Sequence, residues 1–184
     1  MGGAAGPATV PAARPHSPSE PLRPPAAEWG PDDRWNPWAA LRSRPHVQLR
    51  IDPVAALLGG AMLVMGPGLA VVVLDPDLDR RSRRVALAHE LVHEERGGGC
   101  DAPGLPAALD AIVARDEADV IREVARRLVP PAALRHLLEQ REELGLHVEP
   151  WEVAEAFDVD DPTARVALAA LGGRAAAPGR VRTV

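Results

Sequence analysis

The chain has no tyrosine, no lysine, one phenylalanine and one cysteine in 184 residues. Each scarcity closes off some chemistry. Without tyrosine, no phenol is available to steady a developing oxyanion. Cys100 has no second cysteine with which to form an internal disulfide, so nothing points to an oxidising compartment and a cytoplasmic location is expected. The missing lysines, together with an excess of Ala, Gly and Pro, fit a GC-rich coding bias and leave every basic residue other than histidine an arginine. A basic excess is lacking too. The 21 arginines face 26 acidic residues for a net charge of -5, which leaves no electrostatic case for nucleic acid or an anionic membrane as the main partner. A secretory signal is not expected, because the first residues carry neither a basic n-region nor a continuous apolar h-region before Arg14.

Long unbroken apolar segments are also missing. Residues 54 to 74 carry no charge, a length that could span a bilayer. However, Gly59-Gly60 and Gly66-Pro67-Gly68 interrupt the run, and Val71-Val72-Val73-Leu74 favours strand. Two buried strands, over 61 to 65 and 69 to 75, around a Gly-Pro-Gly turn account for it better than a membrane helix.

What is present is a proline-rich arm followed by one domain. Residues 1 to 45 hold ten of the twenty prolines and show no helical or strand period, which predicts a disordered arm. Trp29, Trp35 and Trp38 near its end either dock it on the domain or are stray aromatics of a linker. From His46 onward, Val47, Leu49 and Ile51 alternate with Gln48 and Arg50 as in a half-buried strand. Asp79 can cap a helix whose interior runs from 85 to 96 and stops at Gly97-Gly98-Gly99. Further helices are expected over 107 to 128, 132 to 144 and, as a short pair opened by Pro150 and Pro162, over 150 to 171. The result is an α+β domain over residues 46 to 172, a three-stranded sheet packed on a helical bundle, with a flexible tail at 173 to 184.

The helix after the last strand carries His89-Glu90-Leu91-Val92-His93. Residues four apart on a helix stand one turn above each other, so both imidazoles can reach one ion. That arrangement suits Zn²⁺, and Glu90, adjacent to the first ligand, is placed to act as general base on a water held at the ion. A hydrolytic zinc needs a third protein ligand and an open fourth position. The three-histidine version of the motif requires Gly and His where this chain has Arg96 and Gly99, so that class is excluded. A carboxylate from the next helix remains, with Asp116, Glu117, Asp119 and Glu123 competing. Leu109, Ile112, Val113, Val120, Ile121, Val124 and Leu128 define an apolar stripe. At about 100° per residue Glu117 lies roughly 40° from its centre and Asp116 roughly 60°. Glu117 is therefore the expected ligand and Asp116 the second choice. The competing structural reading pairs Glu117 with an arginine such as Arg84 or Arg122.

The chemistry this implies is metal-assisted peptide hydrolysis: zinc acidifies a water, Glu90 takes its proton, and Glu90 returns it to the leaving amine. A strand within Leu69–Leu74 would pair with the extended substrate backbone. His136 and His147 are the remaining candidates for an oxyanion donor. Cys100 reads as incidental and Arg80-Arg81 with Arg83-Arg84 as a solvated face.

The run Val85-Ala86-Leu87-Ala88-His89-Glu90-Leu91-Val92-His93-Glu94-Glu95-Arg96-Gly97 resembles the zinc helix of the ImmA/IrrE metallo-endopeptidases. The stretch Asp116-Glu117-Ala118-Asp119-Val120-Ile121 leading into Val124-Ala125-Arg126-Arg127-Leu128-Val129-Pro130 resembles their second motif more loosely, with Ile121 and Arg122 departing from it. The resemblance covers about residues 46 to 171. It implies a small zincin-like fold, a glutamate on the second helix as third zinc ligand, and a protein substrate of the helix-turn-helix repressor type, as in phage or mobile-element regulation. The alternative it leaves is a non-catalytic zinc-binding regulator that holds a transcription factor without cutting it. Some relatives carry a DNA-binding-like helix pair after the zinc domain. Here residues 149 to 161 contain six acidic residues and no basic one, so packing helices or a protein-docking surface are expected instead.

Overall fold

The computed structural model describes residues 35 to 97 and 107 to 172, with side chains taken from 112 onward in the second segment. Trp29, Cys100, Gly98-Gly99, the arm before Trp35 and the tail from Gly173 lie outside the described residues. The elements are α1 (Pro37–Arg42), β1 (Val47–Ile51), a 3₁₀ turn (Pro53–Leu58), β2 (Ala61–Gly66), β3 (Leu69–Leu74), α2 (Arg80–Glu95), α3 (Ala107–Leu128), α4 (Pro131–Glu143), α5 (Pro150–Phe157) and α6 (Asp161–Ala170). The fold is α+β, with a small three-stranded mixed sheet and several helices. Among the described residues no helix is long and apolar enough to cross a membrane.

The sheet order is β1-β3-β2, with β1 parallel and β2 antiparallel to β3. Gly68 takes φ 72° in the β2–β3 hairpin, a conformation that favours glycine. Along β3, Ala70, Val72 and Leu74 face α2 and form one core with Val47, Leu87 and Leu91. A second core lies on the other side of α2, where Ala88 and Val92 meet Val120, Val124, Leu128, Leu134, Val153 and Phe157 of the helical layer. The phase of α2 explains this double role. Residues 87 and 91 point to the sheet, residues 88 and 92 point about 100° further round to the helices, and residues 89 and 93 follow about 100° beyond that. Packing on two faces fixes the helix and leaves its third face for chemistry. Asp79 caps α2 by accepting from the Arg81 and Ser82 amides at 2.8 and 2.9 Å. The Ser82 amide foremost holds the Asp79 carboxyl below its ordinary range.

The structure corrects three expectations and adds an element that the sequence reading leaves unassigned. Residues 37 to 42, assigned above to a disordered arm ending at 45, form α1, capped by the Asn36 side chain on the Trp38 amide at 3.0 Å. Trp35 packs against both cores and lies under the Arg127 guanidinium, 5.1 Å from ring centroid to the guanidinium carbon. The tryptophans at 35 and 38 thus belong to the domain. The start of the charge-free run is a 3₁₀ turn, because Asp52 caps Val54 and Pro53 sets its first φ. β2 is half-exposed rather than buried, being an edge strand. On α3 the buried stripe is narrower than the sequence implies: Val120, Val124, Ala125 and Leu128 are buried, while Ile112 is 60% and Ile121 39% exposed.

The acidic pair α5–α6 is a packing unit, with Val153, Ala154, Phe157, Val159, Ala164 and Leu168 buried. Glu152, 7% exposed, pairs with Arg141 and accepts from the Glu149 amide at 2.8 Å, joining the end of α4 to the start of α5.

Candidate metal centre

His89 and His93 come from consecutive turns of α2 and Glu117 from the middle of α3, which packs beside it. The Nε2 atoms of the two histidines are 2.9 Å apart. Glu117 Oε1 stands 3.1 Å from Nε2 of His89, and Oε2 stands 3.1 Å from Nε2 of His93. These three residues form a group that could hold a metal ion.

The proton count supports that assignment. If both histidines carry a proton on Nε2, each can donate to Glu117, but the two N–H groups then oppose each other across 2.9 Å. If only one carries it, the other nitrogen faces a carboxylate oxygen with lone pair against lone pair. With Glu117 ionised, either way one close contact is repulsive. A cation among the three side chains would make all of these contacts favourable. Nδ1 of His93 is buried with no hydrogen-bond partner among the described residues, so Nε2 is the polar end through which this ring is anchored.

Glu90 is 7% exposed and lines the cleft beside His89 and Glu117. A carboxylate held this deep next to the candidate metal-holding group is placed to exchange a proton with whatever occupies the cleft. Asp116, the second-choice ligand, is instead paired with Arg96. Arg122 pairs with Asp119, and Arg84 donates to the carbonyls of Phe157 and Asp158 at 3.2 and 2.8 Å. The arginine-paired reading of Glu117 is therefore not the arrangement seen, and Asp119 and Glu123 are likewise engaged with arginines.

The cleft in front of the triad is bounded by Leu58, Ala61, Met62, Leu63, His89 and Val113 among others. This places β2, not β3, alongside the centre. β3 is hydrogen-bonded on both edges, to β1 and to β2, so the expectation that its backbone receives a substrate is wrong. Among the described residues, the strand edge left unpaired nearest the triad belongs to β2. His136 and His147 do not line the cleft, and His136 bonds to Gln140 on its own helix at 3.1 Å. The arginine cluster of α2 is not simply a solvated face: Arg80 and Arg81 pair with Asp158, and Arg83 donates to the carbonyls of Pro76 and Leu78. Ser82 and Asp160, which sequence reasoning did not place near the site, also line the cleft. Ser82 lies seven residues, about two helical turns, before His89, a spacing that could have flagged it. Asp160 arrives through the tertiary packing of α6, for which no local signal exists.

No family model, curated protein or solved structure matches the chain. The reading of the centre therefore rests on its own geometry and chemistry.

Proposed function

We propose that the protein is a zinc-dependent endopeptidase of zincin-like architecture, cutting a protein substrate of the helix-turn-helix repressor type. The observation that carries this reading is the buried carboxylate of Glu90 beside the His89, His93 and Glu117 triad at the floor of an open cleft. Two imidazoles and one carboxylate are a donor set found at hydrolytic zinc. Each histidine Nε2 lies 2.9 Å from the other and 3.1 Å from one oxygen of Glu117, so a zinc ion would be held by the two ring nitrogens and this carboxylate. Bound there, zinc supplies a Lewis acid that polarises a carbonyl and lowers the pKa of water toward neutrality.

The remaining work falls to the chain itself. Glu90 accepts a proton from the attacking water and delivers it to the leaving amine. The open edge of β2 offers main-chain donors and acceptors to an extended peptide and aligns it across the triad. Leu58, Leu63 and Val113 keep part of the cleft wall apolar, which strengthens the electrostatic effects inside. The resemblance of residues 85 to 97 to the ImmA/IrrE zinc helix supports the choice of a repressor as substrate, and a cytoplasmic setting suits such a target.

The test is to incubate the purified full-length protein, zinc-loaded or treated with chelator, with a proteome-derived peptide library and to identify new termini by mass spectrometry. Cuts that depend on zinc are expected. Cutting that survives complete metal removal, or no cutting by the loaded protein, would contradict the proposal.

A further inference from the structure

The cleft over the metal centre has two chemically different ends. Both are bounded by Leu58, Ala61, His89, Glu90 and Glu117. Beyond these, Met62, Leu63 and Val113 line one end, while Leu78, Ser82 and Asp160 line the other. Carboxylates enter from Glu90, Glu117 and Asp160, and no arginine is among the lining residues of either end. A divalent ion at the triad offsets two of those three negative charges. Among the described residues, none of the side chains lining either end brings an arginine to the third.

Asp160 is where that charge stays uncompensated. Among the described residues no arginine or histidine forms an ion pair with it. The arginines around it are turned to other groups. Arg80 and Arg81 pair with Asp158, Arg84 donates to the carbonyls of Phe157 and Asp158, and Arg165 pairs with Asp161. The first three of these bind the α5–α6 turn to α2 and so hold Asp160 at the cleft wall. Its Oδ1 accepts from the Thr163 amide at 2.9 Å as the cap of α6. Among the described residues Oδ2 has no hydrogen-bonding partner shown, which leaves it for a donor from outside. A carboxylate in this setting favours a cationic guest and disfavours an anionic one.

We infer that the Ser82 and Asp160 end of the cleft receives a cationic nitrogen group of the substrate, while the Leu63 and Val113 end takes an apolar side chain. The inference rests on reading the cleft as a peptide-binding site. An arginine or lysine side chain supplies this chemistry, and so does a free α-amine.

Binding is read with full-length, zinc-loaded protein carrying Glu90→Gln, titrated against degenerate heptapeptide pools labelled at the C terminus. Each pool has a central leucine and arginine, glutamine or glutamate fixed at one other position, with the N terminus free or acetylated. At one position the arginine pool is expected to bind about tenfold tighter than the glutamine pool, the order of one partly desolvated charge pair. Adding Asp160→Asn should abolish that gain. Asparagine caps a helix as well as aspartate does, so zinc content and melting temperature should stay at parental values. A preference for the free over the acetylated terminus, lost with Asp160→Asn, supports the same site with the α-amine as the cation. Equal binding at every position, no binding of any pool, or a preference that survives Asp160→Asn overturns the inference. Hydrolysis is judged separately on the native chain. Cutting without charge preference would sink only this inference, and a charge preference without cutting would sink only the peptidase reading.

Discussion

Glu117 Oε2 lies 3.1 Å from Nε2 of His93, a residue 24 positions earlier in the chain. Its other oxygen reaches His89 at the same distance. One carboxylate therefore closes a triangle on an imidazole pair from another helix, while the neighbouring Asp116 turns to Arg96. The division between adjacent acids follows from helical phase. Residues 100° apart cannot both face α2 squarely, and Glu117 is the one that does.

That division predicts opposite outcomes for two alanine variants. Glu117→Ala should lower zinc affinity by more than about 100-fold, beyond the 10–100-fold typical of losing an outer-shell partner. Asp116→Ala should leave zinc binding within a few-fold of the parent, since it removes only the Arg96 ion pair. Competition with a fluorescent zinc chelator measures both. A reversed order would show that the ligand is Asp116.

The junction between α4 and α5 should be sensitive to removal of one charge. Glu152 is buried and takes its charge partner from Arg141. Arg141→Ala leaves that carboxylate without its cation and is expected to cost about 3 kcal/mol in urea unfolding. Glu152→Gln, which still offers a carbonyl oxygen to the Glu149 amide, should cost less. Equal and small losses in both variants would mean that the pair is not a desolvated one.

Acid should weaken the ion-pair cluster that Glu123 forms with Arg126 and Arg127 toward the C-terminal end of α3. Glu123 is held at about 2, chiefly by the hydrogen bond from Arg126 and then by Arg127. Arg127 also pairs with Glu95 of α2, and this pairing foremost raises its own pKa. Because the folded-state pKa of Glu123 is depressed, the unfolded chain binds more protons as pH falls from its ordinary value near 4.5 toward 2. The stabilisation is complete above that window and lost within it. Allowing for solvent screening, about 1 kcal/mol is at stake. Stability measured across pH 5 to about 2 should fall less steeply in Glu123→Gln than in the parent. An unchanged slope would count against the cluster.

Most of the helical framework was legible because its signals are local. Asp79, Gly97, Pro131, Pro150 and Gly172 stand at or beside helix ends and act there through their own backbone preferences or side-chain caps. The grouping of His89, His93 and Glu117 was legible for the same reason: four-residue spacing gives the histidine pair, and helical phase selects Glu117 over Asp116. α1 was not, since a six-residue helix in a proline-rich context is stabilised by Asn36 and by Trp35 and Trp38 packing on distant elements. Strand order was missed although a cue existed. The sequence Leu69-Ala70-Val71-Val72-Val73-Leu74 has no polar residue, the mark of a strand covered on both sides and hence central. A central strand cannot be the one that pairs with a substrate. Asp160 reaches the cleft only through the packing of α5 and α6, which no spacing in the sequence reports.

The account stands or falls on Glu90. The most direct measurement is the intact mass of any helix-turn-helix repressor found encoded beside this gene, co-expressed with the native chain or with Glu90→Gln. Both proteins should carry equal zinc, because Glu90 is not among the three ligand residues. The account predicts two repressor fragments, whose masses sum to the intact value plus one water, with the native chain and an uncut repressor with Glu90→Gln. Fragments of the same masses produced at the same rate by Glu90→Gln, or a repressor whose activity is lost while its mass stays intact, would contradict it.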